Sequence, residues 1–104
     1  MSMVYNKLVR DKIPAIINAQ GKKANIRILN DEEYRRALET KLDEEVSEYH
    51  KDRNLEELAD ILEVIYALTE SSGHSKEELL EACEKKRQER GGFRDRAFLI
   101  SNEG

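Results

Sequence analysis

The sequence predicts an all-α fold, mostly helix with a small two-stranded β accessory, whose helical bundle is completed by oligomerisation. Three observations carry that expectation. Long stretches repeat apolar residues at three- and four-residue spacing. Two of them open on Asn or Ser with Glu three positions later, a helix-start signature. Only one short stretch alternates polar and apolar residues at period two, and one other is strand-like. With 104 residues there is material for one modest core, so residues 1–104 read as a single domain.

The elements follow in order. A short helix is expected from about Ile13 to Gln20, with Asp11 as cap, Pro14 in the first turn and Gly21 as a left-handed exit. "KANIRIL", with Ile26 and Ile28 at period two, predicts a strand, and "RAFLIS" near the C-terminus predicts its partner. The first long helix opens at Asn30 or Asp31 and runs to about Asp52. The second begins at "NLEE", where Asn54 caps and Glu57 sits at the third helical position, and runs to Gly73. The third starts at Ser75, with Glu78 three later, and ends at "RGG".

Composition narrows the function classes. Charged and hydrophobic residues each make up 38%, with one proline and five glycines, as in a helix-rich folded protein. A formal net charge of −4 argues against nucleic acid and membrane surfaces as partners, since both select a positive field. The single Cys83 cannot form an internal disulfide, no apolar run has membrane-spanning length, and no signal-peptide block opens the chain. A cytoplasmic location is expected.

Carboxylate placement carries the chemistry. A helix turns about 100° per residue, so Leu38, Leu42, Val46 and Tyr49 share an arc of roughly 80°. Glu45 lies on the edge of that arc and Glu48 one step further round, while Asp43 and Glu44 point away. On the next helix Leu58, Ile61, Leu62, Val64, Ile65 and Leu68 cover over half the circumference. Glu57 projects between Ile61 and Val64, and Asp60 flanks Val64, whereas Glu56, Glu63 and Glu70 form an outward row. Taken singly, each acid suits a structural role: Glu57 completes a capping box, and first-turn carboxylates complement the helix dipole. Two i, i+3 pairs on consecutive antiparallel helices are different, because four converging carboxylates repel unless a cation neutralises them. Hard oxygen ligands select Mg²⁺, with Mn²⁺ as substitute. Di-iron sites need Glu three positions before His, which neither His50 nor His74 has, and zinc lacks its Cys/His set.

"EEVSE" followed by "ELAD" resembles the E-E-x-x-E, spacer, E-x-x-D pattern of the MazG-like all-α NTP pyrophosphohydrolase superfamily. The opening "YNKLVRDKIPAII" and closing "KKRQERGGF" are similar to its small single-domain, phosphoribosyl-ATP pyrophosphohydrolase-like branch. The resemblance implies Mg²⁺ ligands at Glu45, Glu48, Glu57 and Asp60, with Glu44, Glu45 and Glu48 in the catalytic set. Glu44 faces away from the stripe, which suits water positioning rather than direct ligation. The implied reaction cleaves a non-standard nucleoside triphosphate to monophosphate and pyrophosphate in a house-cleaning role. Mg²⁺ supports it by holding phosphate oxygens and activating water.

Cations for the phosphates are expected nearby. On the last helix the inward stripe of Leu79, Leu80 and Cys83 continues onto Lys86, Arg87 and Arg90 as it nears Gly91. Cys83 is expected to be a small core residue there. Lys86 and Arg90 are candidate phosphate contacts, and Lys7, Arg10 and Lys12 form a second basic cluster that the resemblance also favours. Phe93, Tyr5 and Tyr49 are candidates to stack on a base. Three long helices cannot close a four-helix bundle, so the apolar surface of Leu55–Leu68 predicts a homodimer or homotetramer. Two rivals stand beside the hydrolase: a non-catalytic dimeric helical module, and an enzyme acting on phosphoribosyl-ATP.

Overall fold

The computed structural model describes residues 3–104. Four α-helices follow one another: α1 (Ile13–Ala19), α2 (Asp31–Asp52), α3 (Leu55–Ser71) and α4 (Lys76–Arg90). The chain is all-α, and no helix is long and apolar enough to cross a membrane among the described residues. Both expected strands are corrected: neither the Ile26–Ile28 stretch nor the Phe98–Ile100 stretch is a strand. Ile26 is 61% and Ile28 87% exposed, so no partner within the chain gives them a ladder or a covered face.

Local chemistry explains the helix ends. Asn30 accepts from the Glu33 amide at 2.9 Å, and the Glu33 carboxylate returns to the Asn30 amide at 3.2 Å, a reciprocal box at the start of α2. Ser75 and Glu78 close the same box on α4. Asn54 accepts from the Glu57 amide at 3.0 Å to start α3. At α1 the cap position is Lys12 with no side-chain hydrogen bond, so Asp11 does not cap, while Pro14 and Gly21 (φ +80°) take their expected places.

α2 and α3 form an antiparallel hairpin whose turn is reversed at Arg53, a left-handed residue with φ 50°. Leu38 (3% exposed) and Val64 (8%) are its buried centre. α4 packs on α3 and not on α2. Its expected inward stripe is corrected accordingly: Leu79 is half-buried, but Leu80 and Cys83 are exposed. The Lys76 ammonium sits 4.1 Å from the Tyr66 ring centre and ties the start of α4 to α3.

The resulting shape is elongated, 64 × 32 × 22 Å, with a radius of gyration of 18.4 Å. A compact chain of this length would have about 13 Å. The accessible surface of 9764 Å² is roughly 60% more than a compact monomer of this mass exposes.

Candidate metal centre

Near the Arg53 turn, the last part of α2 faces the first part of α3. Glu45 from α2 and Glu57 and Asp60 from α3 each offer a carboxylate oxygen, and the three oxygens lie within 4.8 Å of one another. All three residues are half-buried. The spacing is produced by the hairpin: Glu57 and Asp60 share a face at i, i+3, and the packing of α3 on α2, with Leu38 and Val64 buried, brings that face to Glu45.

Glu57 separates this site from ordinary helix chemistry. Three helices start on a cap residue with Glu at the third position, yet only Glu33 and Glu78 return to their caps. Their carboxyls are held below the usual carboxylate range, Glu33 chiefly by Arg27 and then the Asn30 amide, Glu78 chiefly by His74 and then the Ser75 amide. Glu57 leaves its box open and turns to the other acids. Burial, followed by the charges of Asp52, Asp60, Glu45 and Glu48, pushes its carboxyl up.

Two basic side chains stand at the rim. Arg10 Nη2 lies 2.6 Å from Asp60 Oδ1. Lys41 Nζ lies 3.2 Å from Glu45 Oε1 and 3.8 Å from Glu44 Oε2, with its side chain only 18% exposed. Glu57 has no ion-pair partner among the described residues. Sequence reasoning missed both Lys41 and Asp52. Lys41 was readable as the i−4 neighbour of Glu45, whereas the influence of Asp52 on Glu57 depends on how the turn folds back.

The other expected site residues are distributed less tightly. Glu48 is not in the triad; its side chain is 48% exposed and 4.0 Å from Lys51, yet its charge still reaches Glu57. Glu44 is half-buried and shares the Lys41 ammonium with Glu45. Lys7 lies over the Tyr5 ring at 5.6 Å, and Tyr49 makes an edge contact with His50. Lys86, Arg90 and Phe93 are exposed on and beyond α4, Phe93 at 98%, and make no hydrogen bond or ion pair to the carboxylates. A concavity lined by Asp31, Tyr34, Arg35, Ala67, Glu70 and Ser71 opens at the far end of the hairpin. At 1.5 Å per residue, Arg35 is roughly 15 Å along α2 from Glu45, so this concavity is not a nucleotide pocket for the triad.

The donor set fits a divalent ion. All three ligands are carboxylate oxygens, the type that Mg²⁺ and Mn²⁺ select. Opposite oxygens around Mg²⁺ lie about 4.2 Å apart and adjacent ones about 3 Å, so small torsions of Glu45 and Glu57 close the observed spacing. Burial first and the neighbouring carboxylates after it push the Glu57 carboxyl up, and a divalent ion would favour its charged form.

No protein-family model and no solved structure matches the chain. An uncharacterized protein of Mycolicibacterium smegmatis is 57% identical over 42 residues, covering 40% of this chain. The match spans 43% of that relative's length, so the likeness covers less than half of either protein.

Proposed function

We propose that the chain is a Mg²⁺-dependent nucleoside triphosphate pyrophosphohydrolase, releasing monophosphate and pyrophosphate from a non-standard nucleotide in the cytoplasm. The observation that carries this reading is the open box at Glu57, whose carboxylate meets Glu45 and Asp60 instead of its own cap. A bound Mg²⁺ would supply Lewis-acid charge neutralisation at the phosphate oxygens. Glu45, Glu57 and Asp60 are the residues to hold it, with Glu48 at the rim to complete the set. Glu44, whose carboxylate lies 3.8 Å from the Lys41 ammonium, would accept a proton from the attacking water.

Assembly belongs to the same reading. Leu55 (80% exposed), Leu58 (46%), Leu62 (45%) and Val46 (37%) form an uncovered apolar stripe beside the acidic cluster. A second copy covering it would account for the excess surface, and a homodimer or homotetramer follows. The acidic hairpin end and the basic end of α4, with Lys86, Arg90 and then Phe93, are complementary between copies.

The ion pairs Arg10–Asp60 and Lys41–Glu45 favour a second reading, a non-catalytic helical module whose acids are balanced internally. A panel of nucleoside triphosphates, phosphoribosyl-ATP included, incubated with Mg²⁺ and scored for pyrophosphate, separates the two. The hydrolase should release pyrophosphate from at least one substrate and lose that release on Glu57→Gln while keeping its helicity. Mg²⁺ at a hundred times its Kd should also add about 2.7 kcal/mol of stability. No pyrophosphate from any substrate, with no Mg²⁺ effect on melting, leaves the module.

A further inference from the structure

Among the described residues, the N-terminal segment 3–12 makes one hydrogen-bonded contact with the helices that follow α1, and it is made to the candidate metal centre. The Arg10 guanidinium takes Asp60 Oδ1 at 2.6 Å across a separation of fifty residues. No other side-chain hydrogen bond or ion pair joins this segment to α2, α3 or α4. α1, which follows the segment, packs on none of the other helices. Leu8 and Val9, beside Arg10, are half-buried, whereas the rest of the segment is exposed.

We infer that Arg10 is a place-holding cation: it occupies Asp60 until a divalent ion arrives, and ion binding releases the N-terminal segment from the hairpin. The inference rests on the metal-centre reading above and adds a device that acts on it. A carboxylate oxygen already shared with a guanidinium cannot take a divalent ion at bonding distance without bringing two positive centres within a few ångströms of each other. That repulsion weakens the more loosely held of the two rim cations. Lys41 stays, because it sits one turn from Glu45 on the same helix and its ammonium is tied to two carboxylates. Arg10 yields, because its side chain is 55% exposed and its backbone belongs to no helix. An exposed ion pair is weak enough for an ion to displace.

The coupling is reciprocal, so each partner weakens the other's hold. The test uses the full chain and Mn²⁺ as probe, with affinity read from the electron-paramagnetic-resonance signal of free ion and segment release read from tryptic cleavage at Lys7 and Lys12. Arg10→Met should bind Mn²⁺ about threefold tighter than the parent, and Arg10→Lys should fall between them. Saturating Mn²⁺ should speed cleavage of the parent at Lys7 and Lys12, while Arg10→Met should be cut rapidly with or without the ion. If Mn²⁺ binds the parent but Arg10→Met binds it equally or more weakly, or cleavage ignores the ion, the place-holder is overturned and the metal centre survives. If neither chain binds Mn²⁺, both readings fall together.

Discussion

The starts of α2 and α3 are spelled almost alike, Asn30-Asp-Glu-Glu33 and Asn54-Leu-Glu-Glu57, and the fold uses them differently. At α2 the two side chains satisfy each other's amides, Arg27 adds two contacts to Glu33 at 2.8 and 3.2 Å, and the carboxylate is comfortable as an anion. At α3 the cap bond forms but the glutamate does not return, and it stands among Glu45, Asp60, Glu48 and Asp52 as an anion under pressure. Local hydrogen bonding available at no rearrangement has been left unmade at one site and made at two others. The same helix-start spelling therefore ends in opposite electrostatic surroundings, relieved at Glu33 and crowded at Glu57.

The largest effect expected on that contrast comes from the packing that creates it. Leu38→Ala removes the most buried side chain of the hairpin and should cost about 2–5 kcal/mol in urea unfolding. Any Mg²⁺-dependent rise in melting temperature should vanish with it, because Glu45 and Glu57 no longer face each other. Retained ion stabilisation in a loosened Leu38→Ala chain would mean that the carboxylates need no hairpin to meet.

Next in size is the exchange of the two glutamates. Glu57→Gln should weaken Mn²⁺ binding by about 100-fold or more, since even outer partners of metal ligands cost 10–100-fold. Glu33→Gln should leave it unchanged. Equal losses from both would erase the distinction between the two helix starts.

The caps themselves sharpen the comparison at smaller scale. Asn30→Ala breaks a reciprocal box and should cost about 1–2 kcal/mol, whereas Asn54→Ala breaks a single bond and should cost about 0.5–1 kcal/mol. Thermal unfolding of the metal-free chains measures both.

The smallest effects concern pH and differ in sign. The Glu57 carboxyl is raised in the folded chain, so its contribution to stability is full below the ordinary value of 4.5 and is lost as pH rises through its folded value. Metal-free Glu57→Gln, a stand-in for the protonated acid, should therefore melt above the parent at neutral pH and match it below 4.5. The Glu33 carboxyl is lowered, so its contribution is present above 4.5 and is lost as pH falls through its folded value. Glu33→Gln should melt below the parent at neutral pH and converge with it in acid. Melting curves across the pH range that move the same way for both variants would contradict the opposite environments of the two side chains.

Much of this molecule was readable from residue spacing. The limits of α2 and α4 and the Asn54 and Ser75 caps follow from a 100° turn per residue and from end chemistry, and the same projection picked out Glu45, Glu57 and Asp60, with Glu48 left outside the triad. Period-two alternation misled at Ile26 and Ile28 because a strand exists only when a second strand supplies its hydrogen bonds, and none lies beside it in the chain. The stripe of Leu80 and Cys83 misled in a related way: amphipathicity says which face of α4 can be covered, not that this chain covers it.

What the sequence by itself determined is where helices begin and end and which acids share a face, because those are properties of neighbours within a turn or two. Only the tertiary structure decided that Glu57 forgoes its cap, that it comes under the charge of Asp52, and that Arg10 reaches Asp60. These outcomes depend on how closely two helices approach and on how charge is balanced in the space between them. Both are set by packing over long sequence separations, where no local pattern is written.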